Sequence, residues 1–509
     1  MSPLVPEELE LKLELRPEQI KELASHPFLT KWVVGTPTHQ TLQTVYYDTA
    51  DQALRRAGYS LRLRRKGDSW VQTIKSMSSV RNGLSNPVEL ESAVNSQAPN
   101  LEAITDFSLR RNLIKIVNRC RLKPVFETKI DRALHVIMYA GGDLELALDA
   151  GVVKAKRREA PICEAELELK AGPTRSLLRA AIELFGSSAI SFSRQSKAER
   201  GFRLLGDRSA EQASDERLHF KSLKPSMSCR EAVCGLLGQI EHQIVESRSL
   251  VLQSTDSKGP HQLRIGLRRL RALLRSIRHP LGKDAVGDFE QSARLLARAI
   301  APLRDADVII EDIYLQAAKS APDLPGLSEL SDFLLAHRES CRSDAKTALT
   351  GPQWSHFQLF IALWLAAVDL RELDRRVKPF AARAIKQSWK RCAAIGRDVV
   401  SMSDEQRHEL RLALKAHRYT AELFGSLFEV ERVGQHVKNL KKLQDAIGHL
   451  TDGEIAARLM AMKNSQNLPQ SCCLAAGYIA GWHARQSDDV LSQVQRHWKS
   501  LRRARLFWT

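Results

Sequence analysis

Carboxylates spaced two apart stand at Glu8 and Glu10 near the start and at Glu164, Glu166 and Glu168 further on. In an extended segment, side chains at i and i+2 point the same way, so each set presents a row of oxygen donors. Two such rows side by side repel each other unless something positive lies between them, and a hard divalent cation such as Mg2+ or Mn2+ prefers oxygen ligands. Basic residues follow the same spacing. Arg62 and Arg64 share one face, and Lys75, Lys123, Arg132 and Lys197 add cations in the same region. Guanidinium groups bind phosphate oxygens bidentately. Lys12 shares a face with Glu8 and Glu10, so a metal ligand and a phosphate ligand can lie on one wall. Metal-assisted phosphoryl transfer needs these parts. No G-x-S-x-G elbow or Walker A lysine loop points to another chemistry. Any one charged row could simply face solvent. Its recurrence at both ends of one region weighs against that.

The elements that must position these residues are strands. Leu9, Leu11, Leu13 and Leu15 alternate with charged residues, and the same period of two returns at 61–64 and 165–170. Segments 123–132 and 143–149 are further strand candidates, while 17–23 and 174–185 read as helices. If a closed barrel turned the charged rows inward, they would line a polar tunnel. Residues 206–216 are polar and read as a linker. Beyond them the apolar period becomes three to four, so the rest reads as almost wholly helical, with turns at Gly282-Lys283, 323–326 and Gly351-Pro352.

The helical part repeats itself. His261, Arg264, Arg268, Arg271 and Arg275 fall at the same offsets as His408, Arg411, Lys415, Arg418 and Glu422, and those offsets hold one helical face. A second matching pair follows, at 303–307 and 443–448. The architecture expected is two related helical bundles. Residues 261–278 hold six arginines and no acid, a run that repels itself unless partners or an anion neutralise it. A solvated face with salt bridges to Asp305, Asp307 and Asp445 is the alternative. His261 and His408 read as hydrogen-bonding or phosphate-contacting residues, since no compact Cys/His set supports zinc.

Composition sets outer bounds. The 509 residues suffice for two or more domains, and the net charge of +18 attracts nucleic acid, anionic membrane or polyphosphate. No zinc finger or basic zipper supports nucleic acid. The longest apolar run, 359–368, is too short to cross a bilayer. The acidic start lacks the form of a signal peptide, and the eight scattered cysteines read as reduced thiols, so the expectation is a cytoplasmic protein.

These motifs carry a family resemblance. Glu8-Leu9-Glu10-Leu11-Lys12 matches the ExExK signature of the CYTH family, also called triphosphate tunnel metalloenzymes. Tyr46-Tyr47-Asp48-Thr49, Leu61-Arg62-Leu63-Arg64, Thr73-Ile74-Lys75, residues 124–128 with Arg132, Asp149 with Gly151, residues 163–169 and residues 196–201 follow in the family's order. The resemblance covers residues 1–205 and implies an eight-stranded antiparallel tunnel that binds triphosphate and Mg2+ or Mn2+. It implies that Glu8, Glu10, Glu164, Glu166 and Glu168 hold metal, with Glu8, Glu10, Lys12 and Glu166 catalytic. Lys12, Arg62, Arg64, Lys75, Lys123, Arg132 and Lys197 would hold phosphates. Asp149 is implied as a ligand or as a group that orients the basic residues, and Glu89 as another acidic tunnel position. Many relatives carry an arginine where this chain has Pro87, which leaves one phosphate donor fewer or puts Arg81 in its place.

Residues 218–509 resemble a CHAD domain, a helical and basic type associated with polyphosphate. His261, Arg264, Arg268, Arg271, Arg275, His408, Arg411, Lys415 and Arg418 would form its binding stripe. The fold expected is therefore multidomain: a β tunnel with helices at 1–205, a linker at 206–217 and an all-α domain at 218–509. The activity expected is hydrolysis of inorganic triphosphate to pyrophosphate and phosphate, with long-chain polyphosphate bound by the helical part. A hydrolase or cyclase acting on thiamine triphosphate or a nucleoside triphosphate is the alternative chemistry, and a non-enzymatic polyphosphate scaffold the alternative class. Nucleic acid and membrane are not the expected partners, and the oligomeric state is open.

Overall fold

A computed structural model describes residues 9–66, 69–76, 84–85, 89–95, 97–193, 195–205, 222–399, 401–466, 470–486 and 490–508. Glu8, Arg81, Pro87 and the 206–216 linker lie outside the described residues. The chain divides into two compact units, residues 1–217 with 354–368, and residues 218–353 with 369–509.

The first unit is built on one antiparallel sheet of ten strands: β1 (Leu9–Glu14), β2 (Thr38–Asp48), β3 (Tyr59–Lys66), β4 (Ser69–Ser76), β5 (Leu84–Ser85), β6 (Glu89–Val94), β7 (Lys123–Tyr139), β8 (Gly142–Ala155), β9 (Arg158–Ala171) and β10 (Ser191–Phe192). Eight of these are long, as expected, and the two-residue strands β5 and β10 are additions. Hydrogen-bonded neighbours run β10-β1-β9-β8-β7-β2-β3-β4-β6, and β5 pairs with β1. Three residues separate β5 from β6. Four steps from Ser85 to Glu89 reach at most about 14 Å, so the β1 and β6 ends of the sheet must lie close together. The sheet is curled into a barrel.

On β1, β8 and β9 both faces are largely buried, which sets this part of the fold apart from a half-exposed sheet. On β1, Leu11 and Leu13 are fully buried, yet Glu10 and Lys12, which alternate with them, are only 8% exposed each. On β9, Ala165 and Leu167 alternate with equally buried Glu164 and Glu166. The apolar face of β8–β9 meets the helices Pro17–Ala24 and Thr174–Phe185. The charged face turns inward.

Along each strand that inner face changes character. Arg132 shares it with Phe126 and Ile130, Asp149 with Val153, and Glu164 with Ile162. Phe126, Ile130, Val153 and Ile162 form an apolar core with Leu42, Tyr46, Ala198 and Phe202. The last two belong to the helix Lys197–Leu204, which closes this end of the barrel. Gly201 permits the fit, because a Cβ there would lie 2.2 Å from the Phe126 ring. At the helix start, Ser196 and Glu199 form a reciprocal capping box that fixes the position of Lys197.

The apolar run at 359–368 falls almost wholly within a further helix, Pro352–Ala367. It is apolar all round and therefore buried: Leu359, Leu363 and Trp364 are at most 2% exposed. Although it follows the first helices of the second unit in sequence, residues 354–368 belong to the sheet unit. There the Ser355 hydroxyl accepts from the Ile190 amide at 2.9 Å. No helix among the described residues is long and apolar enough to cross a membrane.

The second unit is helical, with Cys229–Gln253, Lys258–Leu281 and Lys283–Val308 in its first half and Val377–Ile395, Asp404–Phe424 and Val430–Gln466 in its second. The two repeat helices, Lys258–Leu281 and Asp404–Phe424, pack against each other. Leu263, Leu267, Leu270, Leu274 and Ile277 form the buried face of the first. The 303–307 and 443–448 segments lie within Lys283–Val308 and Val430–Gln466. All eight cysteines are free thiols.

Candidate functional site

The antiparallel register brings the charged rows together. Lys12 stands opposite Glu166 on β9, Asp149 opposite Glu164, and Arg132 opposite Asp149. Lys12 Nζ lies 3.0 Å from Glu166 and 3.2 Å from Glu10. Arg132 donates twice to Asp149, both at 2.7 Å, and once to Glu166 at 2.8 Å. Lys197 Nζ reaches in from the closing helix to Asp149 at 2.9 Å, Glu164 at 2.8 Å and Glu166 at 2.7 Å. Arg200, one turn along that helix, ties Glu164 at 2.9 Å to Glu14 at 2.8 Å.

Facing this cluster is a more basic wall. Arg62 on β3 and Lys75 on β4 share Glu89 on β6, at 2.6 and 2.9 Å. Arg64 donates to the Thr44 hydroxyl at 3.1 Å. Glu166 is within electrostatic reach of Arg62, and Arg132 of Arg64, so the two walls share one interior.

Burying charges is costly unless they are paired, and the pairing shows in their protonation. Burial works against the ionised form of Glu166, but Lys12, Lys197 and Arg132 outweigh it and hold the carboxyl well below the usual range. Burial likewise opposes the charge on Lys197, and Glu164, Glu166 and Asp149 hold it well above the usual lysine value. On the basic wall the balance differs. Burial first, and then the neighbouring Arg62, bring Arg64 down to about 10.

Asp149, Glu164 and Glu166 can each place an oxygen within 4.8 Å of the others, a hard-donor set of the kind Mg2+ or Mn2+ takes. Glu168 stands opposite Glu10 in the β1–β9 register and pairs with Lys170 at 2.8 Å, which also reaches Glu145 at 3.4 Å. One expected residue stands elsewhere. Lys123 is exposed at the first position of β7. Nine residues of strand put it about 30 Å from Arg132, beyond Phe126 and Ile130 of the apolar plug, so it cannot join the cluster. Arg200 was not singled out by its spacing. Its place one turn after Lys197, on the same helical face, is the signal that could have found it.

In the helical unit, both repeat helices turn their cations to one place. Burial, with Arg268, Arg411, Arg264 and Arg418 around it, drives the Lys415 amine down to about 6. Arg268, Arg271, Arg275, Lys415 and also Arg391, from the helix Val377–Ile395, line a cavity of about 430 Å³. His261 and His408 are exposed. Some of the stripe is neutralised internally: Arg264 by Asp305 at 3.1 Å, and Arg275 by the buried Glu290 at 3.1 Å. Asp307 pairs with Arg338 at 2.7 Å instead. Arg391 and Glu290 were missed by the repeat because they lie on other helices.

A curled antiparallel sheet enclosing matched carboxylates and cations, in one chain with a basic helical unit, defines a two-domain class. Residues 6–202 match the CYTH domain and residues 236–461 the CHAD domain, so the chain is a CYTH domain followed by a CHAD domain. It is similar to the inorganic triphosphatase of Haemophilus influenzae, 30% identical over 215 residues, which are 41% of this chain and 57% of that protein. The chain thus spans little more than half the length of that curated relative. Among solved structures, the CHAD domain from the plant Ricinus communis covers 57% of this chain and 96% of its own, at 23% identity and a TM-score of 0.49. PptA from Streptomyces chartreusis covers 54% and 100%, at 15% identity and a TM-score of 0.43.

Proposed function

We propose that the sheet unit hydrolyses inorganic triphosphate to pyrophosphate and phosphate with Mg2+ or Mn2+, and that the helical unit binds polyphosphate. The observation that carries the reading is the enclosure of a three-carboxylate set opposite Arg62, Arg64 and Lys75 in one interior. Asp149, Glu164, Glu166, Glu168 and Glu10 are the oxygen donors for the metal, with Glu8 of the ExExK motif two residues before Glu10 in the sequence. When bound, the ion neutralises phosphate charge and lowers the pKa of a water. Arg62, Arg64 and Lys75 grip the phosphate oxygens and hold the chain along the basic wall. Lys12 and Arg132, both paired to Glu166, take the charge that develops on the leaving pyrophosphate. The expected nucleophile is water, oriented by the carboxylate cluster.

Phosphate release from inorganic triphosphate, thiamine triphosphate and nucleoside triphosphates, each with Mg2+ and Mn2+, tests this directly. Turnover of the inorganic substrate that falls at least about 100-fold in Glu166→Gln is expected. Equal turnover in the variant removes Glu166 from the mechanism, and preference for an organic substrate assigns the tunnel to that class.

A further inference from the structure

Lys197 sits where a metal ion would be looked for. The three residues whose oxygens converge, Asp149, Glu164 and Glu166, are the same three its ammonium touches, at 2.9, 2.8 and 2.7 Å. This is a built position, because the capping box at Ser196 fixes the helix start and Gly201 seats the helix against Phe126. The cluster's negative charge is also already fully neutralised. Its three carboxylates meet Lys12, Arg132, Lys197 and Arg200, each within 3.0 Å of at least one of them.

A divalent cation entering such a cluster alone must compete with an ammonium for the same oxygens and leave an excess of positive charge. A cation arriving with a polyanion carries its own balance, and the phosphates offer the displaced ammonium a new partner. We propose that Lys197 is a resident cation of the carboxylate cluster, which keeps free divalent metal out and yields its place only when metal and a triphosphate anion enter together. The inference rests on the reading of these carboxylates as the metal site. It makes Lys197 a positioning residue for metal uptake, with a role beyond holding phosphate.

The test is Mn2+ binding to the full chain, followed by the electron paramagnetic resonance of free Mn2+, with and without a non-hydrolysable triphosphate analogue. Without the analogue, Lys197→Met and Lys197→Gln are expected to bind Mn2+ at least about tenfold more tightly than the native chain, whereas Lys197→Arg stays close to native. The analogue is expected to tighten Mn2+ binding more in the native chain than in Lys197→Met. After chelator treatment, Lys197→Met is expected to unfold at a lower temperature than the native chain and to gain more from added Mn2+. Mn2+ affinity that is unchanged or weaker in both neutral variants overturns the proposal and leaves the metal site standing, provided Glu166→Gln abolishes binding. Mn2+ binding with the analogue that is the same in Glu166→Gln as in the native chain overturns the metal-site reading, and the proposal with it.

Discussion

Arg132 grips Asp149 with two hydrogen bonds of 2.7 Å across the β7–β8 register, and the same Nη2 continues to Glu166 on the next strand. Asp149 is fully buried. One guanidinium therefore fixes carboxylates on two strands of the tunnel, and without it their mutual repulsion falls on Lys12 and Lys197. Arg132→Ala is expected to destabilise the sheet unit by about 3 kcal/mol, because it leaves a buried carboxylate short of its partner. The check is the shift in the denaturant midpoint. Arg132→Lys, which keeps the charge and loses the bidentate fork, is expected to fall between the two.

The basic wall and the exposed end of β7 make opposite predictions. Arg62→Ala and Arg64→Ala each remove a charge-assisted donor to phosphate and are expected to lower kcat/KM for triphosphate about 10–100-fold. Lys123→Ala is expected to leave kcat/KM within about twofold of native, since surface substitutions away from a site have small effects. Steady-state kinetics on the three variants decides.

Gly201→Ala tests the seating of the closing helix. Its new Cβ would lie 2.2 Å from the Phe126 ring, which is held in the apolar plug by Tyr46 and Phe202. Overpacking of this kind is expected to cost about 1–3 kcal/mol and to lower the unfolding temperature. Displacing the helix also moves Lys197, so Mn2+ affinity is expected to change together with stability.

Lys415 sets a pH dependence in the helical unit. Burial and four surrounding arginines bring its amine to about 6, below the ordinary lysine value. Above that pH the free domain holds it neutral, and a bound polyanion stabilises the charged form. Polyphosphate binding above pH 6 therefore takes up a proton, so affinity is expected to rise as pH falls from 8 towards 6.5 and to level off below 6. Lys415→Met is expected to flatten this rise, as measured by calorimetry in buffers of different ionisation enthalpy. A pH profile unchanged in Lys415→Met removes the lysine from the binding site.

Salt provides a separate check on the same surface. Arg391→Ala, in the lining of the 430 Å³ cavity, is expected to weaken polyphosphate binding and to reduce its dependence on salt concentration. An unchanged affinity confines binding to the two repeat helices.

Much of this molecule was legible in its sequence because the relevant physics is local. Alternation at Leu9–Glu14 forces apolar and charged side chains to opposite faces whatever surrounds the strand, and the shared offsets of 261–275 and 408–422 place cations on one helical face in each copy. Which partner each charge meets was decided only by tertiary structure. Lys123 and Arg132 lie on one strand, and the plug between them makes one exposed and the other central. Glu166 and Glu168 share a row, yet packing brings Lys12, Arg132 and Lys197 to the first, while the second pairs with Lys170 of its own strand. Lys197 comes from a helix, so no strand periodicity could place it among the carboxylates. Its reach depends on how Gly201 meets Phe126, residues 75 apart in the chain. Periodicity fixes the direction of a side chain relative to its own backbone. Electrostatic partnership depends on distance between backbones, and only packing sets that distance.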